Sequence, residues 1–432
     1  MRPPSGWCCI LLALLPSVPR RLDVRNADAM GIKGLFPFIS ESAPLAIKET
    51  EMKALTGRTI AIDASMCLYQ FLVAVRQGEA QSNLSNSSGE VTSHIQGFLS
   101  RTVKMLELGL KPVYVFDGKP PELKKAELAG RAEKKAEADA DYEAALAGGD
   151  AEEIRKASHR TARATPQMNA DVQELLRLLG CPVILAPSEA EASCAALCKA
   201  GKVYAAATED MDCLTFGTDV MLKNLFDTES SRTQSKRPVY EIRLATLLEQ
   251  LDVPMATFID FCILCGCDYC DKLQGVGPAT AFKLLKTHGS IEAAVASLDA
   301  SKRPDPEDWP AAQARQLFEA PEVINASEVA LRWSTPDFAG LTNFLVGKHD
   351  FNEQRVARYC ERLKALRASG TQMRLDAFFK AGPSKPVPQD KKFDPFAKKQ
   401  GKGTASKPAA GKRTGVAGDG SSGGGGGKKL KK

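Results

Sequence analysis

The chain has 432 residues, 44% hydrophobic and 25% charged, a globular composition with length for roughly two to three domains. It is not collagen-like, and no stretch after residue 30 is apolar for long enough to span a bilayer. Twelve cysteines in no disulfide-scaffold spacing favour a reducing compartment, and four scattered histidines argue against a histidine-rich zinc enzyme, so any metal ligands here are carboxylates. The formal charge of +6 is uneven: residues 381–432 carry thirteen Lys or Arg against three Asp, leaving the body at −4. A basic tail points to an acidic partner or nuclear import and says little about fold.

Residues 1–29 differ from the rest. Arg2, an apolar run over residues 7–15 and then Arg20, Arg21 and Arg25 have the look of a targeting segment. Three origins are open: a secretory signal, an organelle transit peptide, or sequence upstream of a true start at Met30.

From residue 55 to 225 the pattern is strand, then turn, then helix. Runs rich in β-branched and aromatic residues occupy 58–63, 112–117, 182–186, 203–208 and 219–222, separated by amphipathic stretches such as 91–109 and 167–179. The alternation predicts an α/β fold: a mostly parallel sheet with helices on both faces. Residues 119–165 break the pattern, being almost all Ala, Glu, Lys, Arg and Asp; such a segment stands away from the core as helices or is partly disordered. Residues 245–335 read as helical around Gly275-Val-Gly277-Pro278, and from about Gly382 a disordered basic tail is expected.

Acids gather at the strand ends. Asp63 ends the first run and Asp117 the second; Glu189 and Glu191 follow the third, and Asp210 and Asp212 the fourth. Asp268, in Cys265-Gly-Cys-Asp-Tyr-Cys270, can join them from the helical region. In an open α/β sheet the crevice beyond the strand ends is the ligand site. One such acid would simply cap a helix. A whole set at one rim would repel itself unless cations neutralised it. Mg²⁺ suits loosely held carboxylates, and two ions ~4 Å apart form the clamp for in-line displacement at phosphorus. The reading is a two-metal phosphodiesterase.

Six motifs then carry a resemblance. Met30-Gly-Ile-Lys-Gly-Leu35, Ile62-Asp-Ala-Ser65, Val115-Phe-Asp-Gly-Lys-Pro-Pro121, Ala186-Pro-Ser-Glu-Ala-Glu-Ala192, Thr208-Glu-Asp-Met-Asp212 and Gly266-Cys-Asp-Tyr269 resemble, in order, those of the eukaryotic flap endonucleases. The similarity runs from Met30 to about Lys380, with Cys267 standing where relatives usually have Ser. It implies a structure-specific 5′ nuclease with endonuclease and 5′–3′ exonuclease activity, acting in lagging-strand maturation and long-patch base excision repair. The metal ligands it implies are Asp63, Asp117, Glu189, Glu191, Asp210, Asp212 and Asp268, holding two Mg²⁺ ions.

It further implies that residues 119–165 form a helical arch for the 5′ flap, with Lys124 and Arg131 steering the scissile phosphate. Tyr69 would stack on an unpaired base, although a half-buried core tyrosine fits its spacing equally well. Arg76 and Arg101 would contact the DNA backbone. Glu189, Gly266 and Asp268 would also lie along the DNA path. Gly275 and Gly277 read as a helix-hairpin-helix approaching a phosphate without base readout, and the resemblance adds K⁺ there. Cys262, Cys265, Cys267 and Cys270 are too compactly spaced for a zinc knuckle and read as small buried thiols on a helix.

Gln372, Leu375, Phe378 and Phe379 resemble the peptide that docks on the sliding clamp, proliferating cell nuclear antigen. The implied protein is a monomer, up to three per clamp trimer, that binds 5′-flap DNA and no membrane. It would reside in the nucleus (nucleoplasm and nucleolus), with a mitochondrial fraction if the leader is a transit peptide. Residues just after the initiating methionine would pack beside the metals, so mature protein is expected to begin near Gly31.

The implied organisation is a leader (1–29), a nuclease region with the start of the arch (30–135) and the rest of the arch (136–165). A second nuclease region with the hairpin (166–285), a helical part (286–370), the clamp peptide (371–380) and the tail (381–432) follow. The rivals are a mismatch-repair exonuclease or bubble-cutting nuclease of the same superfamily, and a non-catalytic clamp-binding scaffold. The short arch argues against the first pair and the full carboxylate set against the last.

Overall fold

A computed structural model describes residues 31–77, 92–161, 163–225, 238–305 and 309–368. The leader, the clamp peptide with Gln372, Leu375, Phe378 and Phe379, and the tail lie outside the described residues. The five expected strands form as β2 (Thr59–Asp63), β3 (Lys111–Phe116), β4 (Val183–Leu185), β5 (Ala205–Ala207) and β6 (Val220–Lys223). Two more, β1 (Ile47–Thr50) and β7 (Val239–Arg243), extend the sheet to the order β1-β7-β6-β5-β2-β3-β4. Strands β6, β5, β2, β3 and β4 run parallel, whereas β7 is antiparallel to both β6 and β1. The sheet is therefore mixed at one edge. Strand β1, Ile-Lys-Glu-Thr, has no buried residue, so its sequence lacks an apolar signal.

Chain order explains where a site can form. From β2 the chain steps outward to β3 and β4, then returns to lay β5 on the opposite flank of β2. The switch between β2 and β5 opens a crevice at the strand C-termini, where Asp63 and residues 208–212 lie.

The helices are α1 (Leu35–Ser42), α2 (Ala64–Gln77), α3 (Ser93–Glu107), α4 (Lys125–Gly148), α5 (Ala151–Arg160), α6 (Pro166–Leu178), α7 (Ala190–Lys199) and α8 (Asp212–Thr215). They continue with α9 (Leu244–Leu251), α10 (Met255–Cys265), α11 (Pro278–His288), α12 (Ile291–Ala296), α13 (Ala311–Glu319), α14 (Phe338–Thr342) and α15 (Glu353–Ala368). Alternating strand side chains feed two cores. Ala61, Val115, Ala206 and Met221 face α1, α7, α9 and α10. Ile60, Ile62, Tyr114, Phe116 and Leu222 face α2, α3, α6 and α15. Strand β5 is three alanines, all buried, a stretch with no bulk to hold the flanking layers off. A larger residue there would overpack the core by about 1–3 kcal/mol.

Helices α4 and α5 form the expected projection. Helix α4 has 24 residues, about 36 Å at the α-helical rise, and runs unbroken through the boundary placed at residue 135. Among the described side chains of the pair, those buried are small: Ala138, Ala145 and Ala157. So shallow a contact leaves local stability low. The reading of 245–335 as helical needs correction: after α13 the chain is non-helical to Asp337. Ser334 N–H donates to Gly180 O (3.0 Å) and Trp333 Nε1 to Pro112 O (3.0 Å), which straps this segment over the β4 side.

Candidate active site

The carboxylates reach the crevice through local structure that the sequence specifies. Asp63 ends β2, where its Oδ1 accepts from Met66 N–H (3.0 Å) at the start of α2 and its Oδ2 accepts from Thr208 Oγ1 (3.0 Å). Asp117 follows β3, takes Ser65 Oγ on its own N–H (3.1 Å), and offers Oδ1 to Ala190 N–H (2.8 Å). Asp117 thus caps α7 from another strand, which leaves the side chain of Glu189, the N-cap residue, free for other contacts. Glu191 lies in the first turn of α7, where the positive end of the helix dipole favours acids. So some of these acids do cap helices, as a lone acid would, and still share one rim.

After β5, Asp210 N–H donates to Thr208 Oγ1 (3.1 Å) and Asp212 N–H to Asp210 Oδ1 (2.9 Å). Asp268 arrives by a different device. Gly266 closes α10, and Cys267 and Cys270 pair across a tight turn, N–H to O in both directions (3.0 and 3.3 Å). Asp268 and Tyr269 form its tip, where Tyr269 OH donates to Glu189 Oε2.

Six of the seven carboxylates are buried; Asp117 is exposed. Burial, then Asp117, pushes the Asp63 carboxyl up to about 7. Burial likewise raises Glu189 and Asp210, and lifts Glu191 and Asp212 well above the usual range, with Glu189 acting next on Glu191 and Asp210 next on Asp212. Such a cluster needs positive charge, and part comes from the arch. Lys124, ending a 3₁₀ turn (Glu122–Lys124) before α4, donates to Glu189 and lies 3.0 Å from Asp268 Oδ2 and 4.0 Å from Glu191 Oε1. Arg131, two turns into α4, reaches Asp268 Oδ2 (3.2 Å) and Glu127.

The donor set fits hard divalent cations: buried carboxylates at neighbouring elements, with Asp212 Oδ1 buried and lacking any hydrogen-bond partner. Among the described residues no three ligand groups close on one point as they stand. An ammonium stands among them instead.

Gly31 lies against this cluster. Its φ is +71°, and a Cβ there would stand 2.0 Å from Asp210 Oδ1 and 3.0 Å from Asp212 Oδ1. Gly118 is similarly confined. A Cβ would meet Ala186 O at 2.1 Å, in the crossing that sets Asp117 beside Glu189. Gly31 lies where the residues just after Met30 are expected, beside the ligands, whereas Gly118 sits inside a motif that gives no sign of its role. Sequence reasoning missed Ser65 and Thr208, which orient ligands, and Tyr269, which holds Glu189; position within the same motifs was the available signal.

The other expected residues are more dispersed. Tyr69 on α2 is 41% exposed. Arg76 lies in the last turn of α2. Arg101 on α3 places its guanidinium 4.4 Å over the Phe71 ring. Gly275 and Gly277 lie just before α11, which packs against α10, and a Cβ at either would meet nothing within 4 Å. Only Cys262 and Cys265 are on a helix; Cys267 and Cys270 belong to the turn that carries Asp268. Burial raises all four thiols, Cys265 and Cys270 to about 12.

Comparison with known proteins agrees with this layout. Residues 30–138 match the XPG N-terminal domain and residues 180–268 the XPG I-region. Flap endonuclease 1 of Glycine max is 50% identical over 361 residues, 83% of this chain and 93% of the relative. That of Aedes aegypti is 48% identical, covering 88% and 99%. Among solved structures, flap endonuclease-1 from Methanococcus jannaschii is 30% identical with a TM-score of 0.58, covering 75% of this chain and 96% of that one. The catalytic core of Rad2 in complex with DNA substrate, 24% identical, shares the fold at a TM-score of 0.58 over 77% of this chain and all of that one. The chain belongs to the flap endonuclease family, whose nucleases are metal-dependent.

Proposed function

We propose that this member of the flap endonuclease family hydrolyses DNA phosphodiesters at the base of 5′ flaps, in lagging-strand maturation and repair. The observation that carries the reading is the convergence of Asp63, Asp117, Glu189, Glu191, Asp210, Asp212 and Asp268 at the β2/β5 switch, with Lys124 and Arg131 of the arch beside them. The carboxylates repel one another along one continuous rim: Asp117 and Asp210 act on Asp63, Glu189, Asp117 and Asp63 on Glu191, and Asp210, Asp268 and Glu189 on Asp212. That density of negative charge supports Mg²⁺ binding, which we read as two ions. When bound, the ions supply an activated water and charge neutralisation at the scissile phosphate.

The protein's own groups do the rest. Thr208 and Ser65 hold the strand-end acids in register, and Tyr269 orients Glu189. Lys124 and Arg131 are cations on long side chains that can turn from Glu189 and Asp268 toward an incoming phosphate. The shallow α4–α5 contact suits a segment that becomes ordered around a threaded single strand. Exposed Tyr69 offers a ring for an unpaired base. Selection is by DNA shape, since nothing in this set reads base edges.

The clamp-docking peptide with Gln372, Leu375, Phe378 and Phe379, the K⁺ near Gly275 and Gly277, and nuclear residence belong to the same proposal. They rest on sequence resemblance and the basic tail. Cleavage of labelled double-flap, nicked and bubble DNA with and without Mg²⁺ tests it. Incision at the flap base that requires the metal supports the reading. Metal-independent binding without incision would leave a scaffold.

A further inference from the structure

Lys223 ends β6 and is 4% exposed, an ammonium inside the fold that the chemistry above does not use. Its Nζ donates to the carbonyl oxygen of Glu209 (2.9 Å) and lies 2.9 Å from the Glu209 carboxylate Oε2. The other carboxylate oxygen accepts from Asn224 N–H (2.7 Å). The Phe36 ring lies 5.8 Å from the ammonium. Glu209 is thus gripped at three atoms by the end of β6. It immediately precedes Asp210 in the loop that also bears Asp212.

Burying an ammonium costs several kcal/mol unless its partners are well placed, so this pair needs a reason. The loop supplies one. Within residues 208–212 the backbone N–H groups of Asp210 and Asp212 donate to Thr208 Oγ1 and Asp210 Oδ1, so each residue is held by the one two places before it. The loop is tied to the sheet by Thr208, whose N–H donates to Leu222 O (3.2 Å) and whose Oγ1 donates to Asp63 Oδ2 (3.0 Å), and, one residue on, by the Glu209 grip. Two like charges at adjacent turns of a buried loop push it outward. A fixed strut behind the loop resists that push.

We propose that Lys223 is a positioning residue: paired with Glu209, it holds Asp210 and Asp212 facing the rim before any cation arrives. The inference rests on the reading of Asp210 and Asp212 as metal ligands. Outer-shell groups of this kind are worth about 10–100-fold in metal affinity.

The test separates geometry from charge. Lys223→Met with Glu209→Gln removes one charge of each sign, so the net charge beside the carboxylates is preserved. Calorimetry of Mn²⁺ binding to the full chain, without DNA, should show wild-type binding and a loss of about tenfold in the double variant. Lys223→Arg should restore most of it. Equal affinity in wild type and double variant would overturn the strut, while absence of Mn²⁺ binding to wild type would overturn the metal reading instead. Should the double variant fail to fold by circular dichroism, Lys223→Met alone carries the test. Loss of a positive charge near Asp210 would by charge alone tighten Mn²⁺ binding, so weaker binding supports the strut, and unchanged or tighter binding would refute it.

Discussion

Lys124 Nζ stands 3.0 Å from Asp268 Oδ2, joining the foot of the arch to the turn behind α10 across the crevice. The same ammonium serves Glu189 and lies within 4.0 Å of Glu191. Burial works against its charge, yet Glu191, Glu189 and Asp268 outweigh burial and hold its pKa above the ordinary lysine value. The arch lysine therefore stands in for positive charge that the carboxylates require. A divalent ion on Glu189 or Asp268 must share those oxygens with it, which couples metal loading to arch position.

Lys124→Ala should separate the two roles. Without DNA, Mn²⁺ should bind severalfold more tightly, because a competing cation is gone. Single-turnover cleavage at saturating Mg²⁺ should fall about 10²-fold or more, the usual cost of removing one transition-state donor. Reversing Lys124 and Arg131 together to Glu should slow cleavage further and leave duplex binding unchanged. Calorimetry and quenched-flow kinetics read these out. Unchanged Mn²⁺ affinity in Lys124→Ala would mean the ammonium does not compete.

Asp210→Ala should abolish incision while flap binding, measured by fluorescence anisotropy, stays within a few-fold. It removes a candidate metal ligand and no phosphate contact. Wild-type turnover at ordinary Mg²⁺ would take Asp210 out of the site.

Asp63 predicts a pH dependence. Its folded pKa is raised to about 7 from an ordinary 3.8, so between those values the folded state holds more protons than the unfolded one. Its contribution is therefore complete below pH ~4 and lost as pH rises toward ~7. Asp63→Asn cannot ionise there. The Tm difference, Asp63→Asn minus wild type, should be near zero at pH 4, grow in favour of the variant up to pH 7, and shrink when Mg²⁺ is added to wild type. A difference flat with pH would contradict the burial of a repelled carboxyl.

Much of this site could be read from the chain because strand ends announce themselves: an apolar β-branched run stops at an acid, as at Ile62-Asp63 and Phe116-Asp117. The parallel strands were legible for the same reason. Strand β1 was not, since Lys48 and Glu49 are exposed and Ile47 only half-buried, and its pairing with β7 spans some 190 residues of chain. Lys223 and Tyr269 escaped notice because a lysine or tyrosine gives no sign of what it faces. Asp171, His94 and His349 illustrate the limit. They are remote in sequence, yet His349 Nε2 lies 3.8 Å from Asp171 Oδ1, and His94 is buried within electrostatic reach of both.

His94 carries the opposite pH sign. Burial lowers its pKa from 6.5 to about 4, with Asp171 opposing and His349 assisting. Its stability contribution is present above pH ~6.5 and lost as pH falls through ~4. Both ring nitrogens lack hydrogen-bond partners, a burden of order 1–3 kcal/mol. His94→Leu should thus be neutral or stabilising at pH 7 and clearly stabilising at pH 5, by thermal unfolding. A loss of several degrees at both pH values would show that the imidazole makes a contact worth more than its burial costs.

Gly31→Ala tests how tightly the backbone hugs the carboxylates. The left-handed φ of +71° already disfavours a side chain, by roughly 1–2 kcal/mol. The larger effect is local: a methyl would overlap Asp210 Oδ1 at 2.0 Å and crowd Asp212 Oδ1 at 3.0 Å. Relief requires Asp210 to swing away or the chain to lift, because Asp210 Oδ1 also accepts from Asp212 N–H. Either movement spoils the geometry of a cation site whose oxygens must be held to within a few tenths of an ångström. The Mg²⁺ concentration for half-maximal cleavage should rise about tenfold, and Mn²⁺ affinity should fall in parallel. The melting temperature should move little, since Leu35, Phe36 and Ile39, which anchor α1 in the core, are untouched. A variant with normal metal requirement would mean that this backbone has slack the close approach does not suggest.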